Sequence, residues 1–196
     1  RFGRPAFKTI LMAIAELYRT QRAQVVESSE QLLNMIKHKL LVSSEIQESI
    51  IDKGASTILK SADTLYGGFG RAPKFPMAGA IEFLLSRYFF TRDESLATML
   101  RKTLTSMARG GFHDHLAGGF HRYSTDQSWI VPHFEKMADD NAWLLRNYVD
   151  AYSIFGDPFF KDVAQGIINF TRNELSHPDG GFHTSQDADV TPDDEG

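Results

Sequence analysis

Hydrophobic positions recur at helical spacing along most of the chain, and no comparable run alternates with period two. The pattern therefore predicts helices joined by irregular connections, with strands short at most. After Pro5, residues Ile10, Leu11, Ile14, Leu17 and Tyr18 share one face. Polar residues from Arg19 to Gln24 interrupt this face before Val25, Val26, Leu32, Leu33, Ile36 and Leu40 resume it, which reads as one long or broken helix to about Leu41. Ser44, with Gln47 three residues on, forms a capping-box pattern opening a helix striped by Ile46, Ile50, Ile58, Ala62 and Leu65. Pro76 to Arg92 is apolar nearly all round, so this helix is expected to be covered on two sides. Asp93 to Arg109 makes the next helix, and Pro132 to Phe155 another.

The joins define how these helices are arranged. Gly156 suits a helix end, Asp157 an N-cap and Pro158 a first helical turn. So short a connection makes the flanking helices antiparallel neighbours, and Thr91-Arg92-Asp93 makes a similar join. Between such hairpins the tripeptide Gly-Gly-Phe occurs four times, at 67, 110, 118 and 180. Its spacing is about one helical hairpin plus a loop, as in a helical array or toroid. Glycine permits a positive-φ turn and the phenylalanine plugs the core where the chain re-enters.

Composition narrows the function. The 196 residues carry a net charge of −4 with no basic face, which argues against nucleic acid as the main partner. With no cysteine, the chain has no disulfide, thiolate metal site, cysteine nucleophile or CxxC redox pair. No stretch reaches the ~20 uninterrupted apolar residues needed to cross a bilayer, and no secretory leader is visible. The opening at Arg1 instead of Met and the acidic close give the chain the look of an excerpt from something longer, and a cytoplasmic location is expected.

The chemistry gathers in the long connections. Six of the seven histidines lie beyond residue 110, with His113, His115, His121 and His133 in one polar and aromatic segment. Such inventories on loops over a rigid scaffold mark binding sites. Three readings compete: acid–base catalysis, a metal site on His113, His115 and His121 or His133, and loop-tying hydrogen bonds. The absence of a helical HExxH pair weakens the metal reading, and neither a metal nor a cofactor is assigned. Pro132 and His133 are expected to open a helix whose N-terminus favours oxygen-rich ligands. On that helix Glu135 pairs by spacing with Asp139, and Lys136 with Asp140 as either an ordinary i,i+4 ion pair or a cavity-facing group. The loop from Gly67 to Pro76 lacks any nucleotide motif, leaving Arg71 and Lys74 to hold an anionic or hydroxylated substrate. Asp187 and Asp189 follow the last Gly-Gly-Phe and are candidates for catalysis or calcium, though not as an EF-hand.

The strings GGFGRAPKFP, DHLAGGFHRYSTDQSWIVPHFEKM and GGFHTSQDAD resemble the DUF255 family of thioredoxin-domain-containing proteins, which includes YyaL-like bacterial members, along the whole chain. The resemblance implies an all-α fold: a thioredoxin-like domain ending at about residue 22, and over 23–196 about half of an (α/α)6 toroid. That toroid is similar to those of N-acylglucosamine 2-epimerase and six-hairpin glycosidases. The implied partner is a small carbohydrate or polyol. An epimerase-like version asks His121 and His133 to exchange a proton, Arg122 to steady the enolate oxygen, and Trp129 or Tyr123 to stack on the sugar. His115 and Asp114 fall in the same motif. A hydrolase version uses two carboxylates drawn from Asp114, Glu135, Asp140, Asp187 and Asp189. A third version is a non-catalytic redox-partner or scaffolding module. Half a toroid is also expected to expose apolar helix faces or to pair with another copy.

Overall fold

The computed structural model describes residues 5–40 and 47–189. The expected capping box at Ser44, the stripe residue Ile46 and the acidic close after 189 fall outside them. The chain divides into two compact units, Arg1–Gln47 and Glu48–Gly196.

In the first unit, helix α1 (Phe7–Thr20) and helix α2 (Arg22–Leu40) are separated at Gln21, so the stretch is broken, not continuous. Gln21 N–H donates to the Leu17 carbonyl and closes α1. No residue of α1 is buried.

The second unit holds the core. Helix α3 (Ser49–Leu59) leads into the hairpin of α4 (Ala78–Thr91) and α5 (Glu94–Arg109), and then into that of α6 (Ala138–Phe155) and α7 (Pro158–Phe170). Both joins follow the sequence. Arg92 and Gly156 take left-handed conformations at φ 55° and 68°, and the Asp93 and Asp157 carboxylates accept from the N–H groups of Ser95 and Phe159. Helix α4 packs on both α5 and α6, and α6 on α7. Leu84, Leu100, Leu104, Leu144, Tyr148 and Ile167 are fully buried between them. The Tyr148 hydroxyl donates to the Leu104 carbonyl at 2.8 Å, so the one polar atom of this ring is matched inside the core. Coverage of α4 is incomplete: Leu84 is buried, but Phe89 and Phe90 are 50% and 77% exposed.

One helix begins later than the pattern predicts. The segment from Pro132 to Met137 is extended, and α6 starts at Ala138. Its backbone is committed elsewhere. Strand β1 (Tyr123–Ser124) pairs with β2 (Pro132–His133), and β3 (Lys136–Met137) pairs with β4 (Ser185–Gln186), both antiparallel. The Glu135 carbonyl accepts from Arg122 N–H and the Ala138 N–H donates to Thr184. Glu135 and Lys136 are therefore not on the helix with Asp139 and Asp140, and the helical pairings expected from their spacing do not form.

Candidate functional site

Three of the four Gly-Gly-Phe tripeptides form one repeated turn. Asp63, Asp114 and His177 each donate their N–H to the second glycine of their turn (Gly68, Gly119, Gly181), and the first glycine donates back. Both glycines are at positive φ in all three. The residue after each phenylalanine (Gly70, His121, His183) donates to the Ser61, Phe112 and Leu175 carbonyls respectively. The tripeptide at 110–112 is different. Gly110 has φ −78° and ends α5, and a Cβ there would lie 2.2 Å from the Trp129 carbonyl oxygen. It is needed for close approach, not for a turn.

Two of these turns are locked from beneath by a buried lysine. Lys74 Nζ reaches Asp63 Oδ2 at 2.6 Å and the Gln127 carbonyl at 2.9 Å, below the Trp129 ring. Lys136 Nζ reaches Asp114 Oδ2 at 2.6 Å and the Gly118 carbonyl at 3.0 Å, over the Phe170 ring. Each aspartate also accepts two backbone N–H groups of its own turn. Burial pushes the Asp114 carboxyl up, but the Lys136 bond with the Ala117 and Leu116 N–H groups outweighs it, and the pKa falls to about 2. The same balance holds Asp63 well below the usual carboxylate range.

These locks correct part of the sequence expectation. Lys74 and Trp129 are fully buried and Lys136 almost so, each engaged with protein groups, so none meets a substrate. Trp129 (φ 67°) fills the space beneath Gly68, where a Cβ would lie 2.5 Å from its ring. It seals the loop instead of stacking on a sugar. Asp114 shapes a turn and neutralises Lys136.

Several of the candidate side chains come together on the segments flanking the second lock. An isolated antiparallel bridge between Lys74 and Ser124 lies beside the β1–β2 pair, so Phe75, Tyr123 and His133 form one row. Their ring centroids are 4.9 Å and 4.8 Å apart. Arg122 Nη1 meets Glu135 Oε2 at 2.8 Å, and His133 Nδ1 lies 4.0 Å from the same oxygen. His121 Nδ1 is 3.0 Å from the Phe134 carbonyl. A carbonyl only accepts, so Nδ1 carries the proton and Nε2 holds the lone pair. Burial lowers the His121 pKa, with the Phe134 bond opposing. Burial raises that of Asp140, with Asp139 and Glu135 adding to the rise and Arg122 opposing it.

The remaining candidates lie outside this group. His115 is exposed, held by the Gly110 carbonyl at 3.0 Å and set edge-on to His113. Arg71 is exposed at the repeat position equivalent to Arg122, but is not in contact with these residues. Asp187 and Asp189 are exposed, and the Asp187 carboxylate accepts from the Ala188 N–H. The Asn141 amide both accepts from and donates to the Phe120 backbone. Sequence reasoning missed Asp63 and Phe75. Asp63 was findable, because Asp-x-Leu-x-Gly-Gly-Phe occurs at 63 and again at 114. Phe75 carries no such signal.

Comparison with known proteins places this architecture. No family model matches the chain. It is 40% identical over 203 residues to spermatogenesis-associated protein 20 of Rattus norvegicus, covering 96% of this chain and 25% of that protein. The human protein of that name is 39% identical with the same coverage, and an uncharacterized protein of Caenorhabditis elegans is 36% identical over 201 residues, 97% of this chain and 27% of its own length. The chain is homologous to spermatogenesis-associated protein 20. It spans about a quarter of the length of these relatives. Solved structures give the fold. A sugar epimerase from a ruminal bacterium matches with a TM-score of 0.62 at 14% identity, over 71% of this chain and 40% of that one. Cellobiose 2-epimerase from Bacillus thermoamylovorans matches at 0.60 and 11%, over 72% and 42%. The helical hairpins are thus part of an α/α toroid, as the sequence implied. Among the described residues no helix is long and apolar enough to cross a membrane.

Proposed function

We propose that the rim built by His121, Arg122, Tyr123, His133, Glu135 and Asp140 binds a carbohydrate and transfers a proton at the carbon beside its carbonyl. The observation that carries this reading is the 3.0 Å contact of His121 Nδ1 with the Phe134 carbonyl: a carbonyl only accepts, so the proton belongs on Nδ1 and the lone pair on Nε2. Burial keeps this imidazole neutral at neutral pH, the form a general base needs. In the reaction Nε2 takes the C2 proton, the C–H electron pair moves into a C1–C2 enolate, and the negative charge gathers on the carbonyl oxygen beside Arg122. His133 returns a proton from the opposite face, which inverts C2. The likeness to sugar epimerases supports this chemistry at the level of the fold. We further propose that residues 1–22 close a thioredoxin-like region and that the protein works in the cytoplasm.

The test is proton NMR of free aldoses and cellobiose incubated with the protein in D2O. Deuterium is expected at C2, and His121→Gln is expected to slow its entry by about 10²-fold or more. No entry with any sugar would sink the epimerase reading. A second reading rests on Asp140, whose raised pKa beside Glu135 suits a protonated acid paired with a carboxylate. Release of new reducing ends from glycosides, without deuterium at C2, would favour it. If both assays are silent while the rim variants unfold the protein, the loops serve only to buttress the ring.

A further inference from the structure

We infer that Lys136, buried and ion-paired to Asp114, is a positioning residue that holds the extended segment carrying Phe134 and Glu135 against the turn carrying His121. The assignment rests on reading His121 as the acid–base group. Three consecutive residues each grip a different point of one loop. The Phe134 carbonyl accepts from His121 Nδ1, and the Glu135 carbonyl accepts from Arg122 N–H. The Lys136 ammonium reaches past both to Asp114 and Gly118. The first two contacts aim the groups that meet a substrate, and the third fixes the register in which they do so. Lys136 is 3% exposed and its ammonium is engaged by a carboxylate, a carbonyl and the Phe170 ring, so it acts through these neighbours and not on a ligand.

The molecule contains its own control. Lys74 makes the same lock on Asp63, but the residue after that turn's phenylalanine is Gly70 where the second turn has His121. Both lysines build a turn, and only Lys136 has a titrating side chain above it. The charged and titratable groups that face His121 are Lys136 on β3, Asp114 in the turn and His133 on β2.

The test needs no ligand, so it stands even if no sugar turns over. The His121 ring signal is identified by its loss in His121→Gln, and its NMR titration is compared across variants. Lys136→Met removes a cation and frees the Asp114 carboxylate, so the midpoint of His121 is expected to rise by about one pH unit. Asp114→Asn leaves the lysine unopposed and is expected to lower it. Lys74→Met is expected to leave it in place. Amide exchange reads the geometry. Lys136→Met should expose the Gly118 and Arg122 amides while sparing Gly67, and Lys74→Met should do the reverse. A folded Lys136→Met protein with an unmoved His121 midpoint and unchanged Gly118 and Arg122 protection overturns the inference, as do equal changes in Lys74→Met. Should Lys136→Met fail to fold, Asp114→Asn decides through the direction of its shift, and an upward or absent shift overturns the assignment.

Discussion

Gly68 and Gly70 sit two residues apart at nearly the same backbone angle, φ 78° and 74°, yet differ in what surrounds them. A Cβ on Gly68 would lie 2.5 Å from the Trp129 ring, whereas nothing lies within 4 Å of one on Gly70. Gly70→Ala is expected to cost only the left-handed backbone penalty, about 1–2 kcal/mol. Gly68→Ala adds overpacking against a fully buried indole, for a total of about 2–4 kcal/mol. Urea unfolding of the two variants reads the difference, and equal midpoints would contradict the close approach. Lys74→Met is a harsher change. Lys74 is fully buried and Asp63 nearly so, and removing the cation strands a carboxylate inside the protein, at a cost of about 3–5 kcal/mol in the same assay.

At the level of elements, the hairpin joins were legible because their chemistry is local. Gly156, Asp157 and Pro158 each do what their residue type dictates. Asp157→Ala is expected to remove about 1 kcal/mol by freeing the Phe159 N–H, and a larger loss in the thermal midpoint would show that the join does more than cap α7. The start of α6 was not legible. Phe134, Met137 and Ala138 have helical spacing, but the backbone here is claimed by Arg122, 13 residues before its partner Glu135, and by Thr184, 46 residues after its partner Ala138. Periodicity within a window does not register such distant competition. The same limit explains Trp129 and Lys74. A tryptophan and a lysine in polar loops read as a sugar platform and an anion anchor, until the fold folds one over the other. His121, Arg122, Tyr123, His133 and Glu135 stand out in the sequence because their types suit proton transfer and because one short stretch holds them all. Their grouping depends on the β1–β2 pairing, which a two-residue strand does not announce.

For the whole molecule, two half-buried groups both make stability fall on acidification, in separate pH windows. Burial, and then the neighbouring His115, lower the His113 pKa to about 4. Between about pH 6.5 and 4 the unfolded chain binds a proton that the native state refuses, so stability falls on acidification through that window by about 3 kcal/mol. Asp114 acts lower. Its folded pKa of about 2 lies below the unfolded value, so it stabilises above about pH 4. That contribution, about 2 kcal/mol, is lost as pH falls toward 2. Urea midpoints are therefore expected to decline from pH 7 to pH 4. His113→Gln should flatten the upper part of that profile and Asp114→Asn the part below. An unaltered profile in His113→Gln would remove His113 as the cause.

The rim is stitched forward along the chain. Lys74 bridges to Ser124 in the next loop, and Lys136 to Gln186 in the loop after that. Each lysine-bearing segment is therefore completed by residues synthesised about fifty positions later. A growing polypeptide halted on the ribosome before Ser124 emerges would hold its first lock half-assembled and vulnerable to protease near Lys74. One extended past that point would be resistant there. Assembly of the rim is thus expected to follow the direction of translation, one loop finishing the last.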